Sequence, residues 1–134
     1  MNEPRIIQLP KILDRRGNLS VIEELQNVPF EIKRTFWIYD VPGDSQRGGH
    51  AYKTSEEFIV ALSGSFDVVL DCGDGERKVY HLNRSYYGLY VPKMVWREMQ
   101  NFSTNSLALV VSNTEYDAAD YIREYKKFVE LANS

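Results

Sequence analysis

The stretch Phe66-Asp67-Val68-Val69-Leu70-Asp71-Cys72-Gly73-Asp74-Gly75-Glu76-Arg77-Lys78-Val79-Tyr80-His81-Leu82 reads as two β-strands closed by a tight loop. Phe66 to Leu70 and Lys78 to Leu82 are rich in β-branched and aromatic residues, and the Gly- and Asp-rich Asp71–Gly75 link between them has hairpin chemistry. Working outward, the same pattern recurs on both sides. Toward the N-terminus lie Glu57 to Leu62, closed by Ser63-Gly64, and Lys33 to Tyr39, which runs into the turn Asp40-Val41-Pro42-Gly43-Asp44. Before them come Leu19 to Glu24, behind a turn at Asp14–Asn18, and Ile6 to Leu9, ahead of Pro10. Toward the C-terminus lie Tyr86 to Val91, ending at Pro92, then Val95 to Gln100 and Ser106 to Ser112. Roughly nine short strands at this spacing predict an all-β sandwich or barrel over about 5–112.

The period changes at Asp117. Ala118, Tyr121, Ile122, Tyr125, Phe128 and Val129 recur at three- and four-residue steps, one face of a helix. A helix over about 117–132 is expected, with Asp117 as its N-cap and the tyrosine-bearing stripe as core. It is too short and too charged to stand alone, so it should pack on the outside of the barrel.

The chain has 134 residues, which fits one domain. Its formal net charge of −3 argues against a general electrostatic grip on nucleic acid. Cys72 is the lone cysteine, so there is no internal disulfide and no cysteine pair for zinc. No stretch approaches the ~20 apolar residues of a membrane span, and Met1–Pro4 lacks the basic start and apolar run of a leader. A cytoplasmic protein with no membrane partner is expected. Nine tyrosines suit both strands and a polar, ring-lined pocket.

Arg47-Gly48-Gly49-His50-Ala51-Tyr52-Lys53 is the densest cluster of chemistry. Adjacent glycines let the backbone turn or approach a neighbour closely. If the segment continues as a strand, His50 and Tyr52 face the same side. Together with Glu57 and Gly64 it resembles the first motif of the cupins, and Pro92-Lys93-Met94-Val95-Trp96-Arg97 resembles the second. That resemblance implies a single-domain jelly-roll barrel with one C-terminal helix. It also sets aside a metal: Tyr52 and Arg97 stand at two histidine positions, leaving His50 and Glu57, and a protonated arginine ligates nothing. No metal and no cofactor are expected.

A narrower resemblance covers nearly the whole chain. Asp14-Arg15-Arg16-Gly17, Val28 to Arg34, Arg47 to Lys53, Gly88 to Val91, Trp96-Arg97-Glu98-Met99, Tyr116-Asp117 and Asp120 to Arg123 are similar to the bacterial sugar 3,4-ketoisomerases, which are metal-free cupins. The resemblance implies a dTDP-linked 4-keto-6-deoxy sugar as substrate, converted to its 3-keto isomer through an enediol. It also implies a PLP-dependent aminotransferase as the next enzyme. Small cupins commonly form homodimers by extending a sheet with the N-terminal strand, here Ile6 to Leu9. The family usually carries histidine where this chain has Tyr52, and often where it has Arg97. In that frame His50 is the candidate base, since an imidazole titrates near neutrality, and Tyr52 steers or protonates an oxygen. Arg16, Arg34, Arg47, Lys53 and Arg97 are the candidates for substrate binding. Two other readings stand beside this one: a dTDP-sugar-binding cupin whose catalysis is impaired by the loss of the second histidine, and another nucleotide-sugar isomerase or epimerase.

Overall fold

The computed structural model describes residues 3–43 and 45–134, so Asp44 of the expected turn and Met1-Asn2 lie outside the described residues. The strands are β1 (Arg5–Gln8), β2 (Arg34–Tyr39), β3 (Arg47–Tyr52), β4 (Glu57–Ser63), β5 (Phe66–Asp71), β6 (Arg77–Leu82), β7 (Tyr87–Val91), β8 (Trp96–Gln100), β9 (Leu107–Ser112) and β10 (Tyr121–Ile122). They form two five-stranded antiparallel sheets, in the orders β1-β7-β4-β9-β2 and β10-β3-β8-β5-β6. This is an all-β, single-domain cupin jelly roll. The hairpin that decides the fold class pairs in the expected register, from Phe66 opposite Leu82 to Asp71 opposite Arg77.

The main core lies between the sheets and includes Ile59, Phe66, Val68, Leu89, Met99 and Val110. Strand β4 is central and covered on both faces, so Glu57, Phe58, Ile59 and Val60 are all buried, which explains its nearly unbroken apolar run. Each fully buried Ile, Phe or Val there contributes about 1.5–3 kcal/mol. Gly64 ends this strand at φ +66, with a built Cβ falling 2.8 Å from the Ser106 backbone, so no side chain fits at that turn.

A second apolar layer covers the outer face of the first sheet. Val28 and Phe30 pack there on Phe58, Val60 and Tyr90. The segment that carries them differs from the sequence reading, because Leu19 to Glu24 is not a strand. Only isolated bridges, Ile12 to Leu19 and Glu24 to Val28, occur in it. Its apolar residues are drawn onto the sheet's outer face by burial, with Ile22 packing on that layer while Leu19 and Leu25 stay exposed.

The C-terminal region is also divided differently. The α-helix α1 covers only Tyr125–Ala132 and packs outside the second sheet, where Phe128 meets Trp96 and Ala51. Asp117 does act as a cap, but of a short 3₁₀ turn, Ala118–Asp120, accepting from the Ala119 N–H at 3.0 Å. The chain then extends as β10, pairing Tyr121 with Tyr52 and Ile122 with Ala51. The expected helix at 117–132 is therefore a turn, a strand and a shorter helix. Among the described residues no helix is long and apolar enough to cross a membrane.

Candidate active site

One extra residue aims the site. Strand β3 pairs Arg47 with Met99 and Gly48 with Glu98, then skips a residue, so that His50, not Gly49, lies opposite Arg97. Gly49 is the bulged residue and sits at φ +74, a conformation glycine adopts without cost. Without the bulge, strict alternation would turn His50 to the outer face. With it, His50 and Tyr52 point between the sheets and Ala51 points to the helix.

His50 is 8% exposed and lines a cleft of about 410 Å³ with Tyr52, Arg97, Tyr121 and Arg123. Its ring lies 4.9 Å from that of Tyr52 and 5.0 Å from that of Tyr121, centroid to centroid. Its Nε2 is buried and has no hydrogen-bond partner. Burial, then the charges of Arg97 and Arg123, push its pKa down to about 3. The imidazole is thus neutral near pH 7, and in the free protein a weaker base than an ordinary histidine.

Beneath it lies a buried polar network. Arg97 donates from Nε to Glu57 Oε1 at 2.9 Å and from Nη2 to Glu57 Oε2 at 3.1 Å. Tyr52 donates its hydroxyl to Glu57 Oε2 at 3.0 Å. Burial works against the charge on Arg97, but the Glu57 carboxylate outweighs it and holds the guanidinium above its ordinary pKa. Burial first, and then the charge of Glu57, raises the Tyr52 phenol well above its ordinary value.

The third wall comes from β10. The Asp120 carboxylate accepts from the backbone N–H and hydroxyl of both Thr54 and Ser55, at 2.5–3.1 Å. Burial tends to raise its pKa, but the hydrogen bonds from Ser55 and Thr54 prevail and hold it below the usual carboxylate range. This clamp fixes β10 against β3. It puts Tyr121 beside Tyr52, ring centroids 4.8 Å apart, and Arg123 over the Tyr121 ring at 4.2 Å.

The structure brings together His50, Tyr52, Arg47 and Arg97 of the sequence candidates. Arg34 lies close by, over the ring of the cleft residue Phe36 at 5.3 Å and over Tyr116 at 5.7 Å, with Nε and Nη2 buried and unpartnered. Lys53 is exposed and does not line the cleft. Arg16 stands apart, its side chain 90% exposed and paired with Asp14 at 2.8 Å. Two contributors, Tyr121 and Arg123, lie in what reads as a helical period, and Glu57, grouped in the sequence with the first cupin-like motif, is fully buried in a pair with Arg97. A larger groove of about 610 Å³, lined by Leu9, Lys11 and Tyr86 among others, runs along the outer face of the first sheet but holds no histidine or carboxylate.

The donor set does not fit a cupin metal. A guanidinium occupies one ligand position and a phenol another, and together they take up Glu57. Among the described residues no group of three His, Cys, Asp or Glu side chains converges. What remains is a neutral imidazole, two phenols and several cations, which makes this a cupin built for proton transfer on an anionic substrate.

The comparisons narrow that class. The family model described as "FdtA: WxcM-like, C-terminal" matches residues 2–133. The chain is 43% identical over 126 residues to the TDP-4-oxo-6-deoxy-α-D-glucose-3,4-oxoisomerase of Aneurinibacillus thermoaerophilus, covering 94% of this chain and 90% of that one. A 3,4-ketoisomerase from Helicobacter canadensis superposes with a TM-score of 0.95 at 39% identity, over 98% of each chain. The sugar 3,4-ketoisomerase QdtA from Thermoanaerobacterium thermosaccharolyticum, solved in complex with TDP, gives 0.94 at 36%, over 97% of this chain and 94% of that one. The chain belongs to this family of sugar 3,4-ketoisomerases, and it is an isomerase.

Proposed function

We propose that this chain moves the keto group of a TDP-linked 4-keto-6-deoxyhexose from C4 to C3. The observation that carries the reading is His50: a buried, neutral imidazole that lines a cationic cleft and whose Nε2 has no partner within the chain. The C3 proton, next to the C4 ketone, is acidic enough for such a base to remove. The enediol forms, and a proton returns at C4. The wall beside His50 carries the phenols of Tyr52 and Tyr121, and a phenol there serves the oxygens. Arg47 and Arg123 suit the diphosphate, and Arg34 suits it as well, since its two buried N–H groups have no partner within the chain. The diphosphate also offsets charge near His50 and so makes it a stronger base when substrate is bound.

The wider setting follows the same reading. β1 is one of the two edges of its sheet, with Ile6 39% exposed, which supports a homodimer formed by sheet extension. Arg16, remote from the cleft of its own chain, and Lys53, which follows Tyr52 but does not line the cleft, keep a substrate-binding role only at a site shared with a second subunit or with the substrate's outer portion. A cytoplasmic setting and a following aminotransferase complete the reading. The test is incubation with TDP-4-keto-6-deoxyglucose in deuterated water. Deuterium entering the sugar ring together with formation of the 3-keto isomer is expected. Tight binding with neither exchange nor isomer would refute catalysis and leave a binding module.

A further inference from the structure

The two phenols on the wall beside His50 are not equivalent. Tyr52 is 5% exposed, and its proton is committed to the Glu57 carboxylate at 3.0 Å. Glu57 is itself held by two bonds from Arg97, so this arrangement is rigid and points the Tyr52 proton away from the cleft. A hydroxyl has one proton, so the Tyr52 oxygen is left toward the cleft only as an acceptor. The hydroxyl facing it is that of Tyr121, 3.4 Å away. That is long for an O–H···O bond, so Tyr121 surrenders little when its proton turns to a ligand. Tyr121 is half-buried, lines the cleft, touches the His50 ring and lies under the guanidinium of Arg123.

We propose that Tyr121 is a catalytic residue that exchanges protons with the sugar oxygens, and that Tyr52 is a positioning residue acting through it. The inference rests on the ketoisomerase reading above. The steps balance with two groups. His50 Nε2 takes the C3 proton, and the C–H electron pair becomes the C3=C4 bond. The C4=O4 π pair takes the Tyr121 proton, leaving the neutral enediol, an imidazolium and a phenolate. The phenolate then takes the O3 proton, whose bonding pair becomes the C3=O3 bond. The C3=C4 pair takes the proton from His50 at C4. Both side chains end as they began. Vicinal oxygens are close enough for one hydroxyl to serve both. The transient phenolate is stabilised by Arg123 above its ring and by the hydroxyl of Tyr52.

The experiment compares the full-length wild type with Tyr121→Phe, Tyr52→Phe and Tyr52→His. It reads kcat and KM on TDP-4-keto-6-deoxyglucose, and the affinity for TDP by calorimetry. Tyr121→Phe should lower kcat by about 10²–10⁴-fold, the range for a lost acid–base group, with KM and TDP affinity within about threefold of wild type. Retained TDP binding also shows that the variant folds. Tyr52→Phe should lower kcat by only about tenfold on the same scale. Tyr52→His should recover that loss, because a ring N–H can also donate to Glu57. The proposal is overturned if Tyr121→Phe keeps kcat within about threefold, if its TDP affinity falls in step with kcat, or if Tyr52→Phe is the more damaging change. A wild-type chain that binds substrate but leaves it unchanged overturns the ketoisomerase reading itself.

Discussion

Replacing Arg97 by methionine tests the base of the site. The Arg97 side chain is 3% exposed and that of Glu57 0%, so neither charge can turn to water when its partner is lost. In Arg97→Met the Glu57 carboxylate keeps a single donor, the Tyr52 hydroxyl, in place of three. Removing one member of a buried pair typically costs about 3–5 kcal/mol. Against a total stability of about 5–15 kcal/mol this is a large fraction. For a domain of this size it corresponds to a fall in Tm of about 10–20 °C. Replacing both partners, Glu57→Met with Arg97→Met, removes the stranded charge and should return stability to within about 1–2 kcal/mol of wild type, or above it. Urea unfolding at pH 7, with the slope unchanged, reads both values. A second signal accompanies the first. Arg97 is one of the charges that depress the His50 pKa, so its loss moves that pKa back toward 6.5. A cost below about 1 kcal/mol for the single change, no better for the pair, would show that the network does not hold the site as described.

Three further outcomes follow from the same geometry. With the His50 pKa near 3 in the free protein, kcat/KM should stay level as pH falls from 7 to 5, whereas an acid limb at 6.5 would mean an ordinary, solvated imidazole. Because the unfolded chain takes up this proton below pH 6.5 and the folded chain does not, stability should fall with acidification through that window by up to about 1.4 kcal/mol per pH unit, and His50→Asn should abolish that part of the slope in thermal melts. Gly49→Ala should retain the geometry at a cost of about 1–2 kcal/mol for the left-handed φ, since a built Cβ meets nothing closer than Trp96 at 3.9 Å. Thermal melts read that cost, and a Gly49→Ala variant of wild-type stability would show that the residue is not held at a left-handed φ.

Most strands of the two sheets, though not β10, were legible because each carries its own local signal. The hairpin Phe66–Leu82 has β-branched runs around a Gly-rich loop, and β4 has a continuous apolar run bounded by glycine. Leu19 to Glu24 shows the same kind of composition and is not a strand. Its apolar residues answer to the outer face of the first sheet, which no local pattern reports. At the C-terminus the three- and four-residue spacing is real, but Asp120 finds four donors on Thr54 and Ser55, 65–66 residues away in sequence. Those bonds hold the chain extended at Tyr121-Ile122, and helix begins only after them. Met94, within the Pro92 to Arg97 segment, adopts φ 58, a left-handed conformation that no local sequence signal announced, since glycine and not methionine favours it.

The same limit separates the site residues that were read from those that were not. His50, Tyr52 and Arg97 sit in motifs contiguous in sequence, and their inward direction follows from strand alternation once the Gly49 bulge is counted. The partners that decide what each can do come from elsewhere: Glu57 from β4, Tyr121 from β10 and Arg123 from just beyond it. Read alone, a tyrosine at the second histidine position suggests a lost base. Read with Glu57 below it and Tyr121 beside it, the substitution removes one titrating group and keeps a relay of hydroxyls that ends on a paired carboxylate. A single base can serve both carbons if another group serves both oxygens. The chain therefore needs no second imidazole, provided that Asp120 keeps Tyr121 in the cleft.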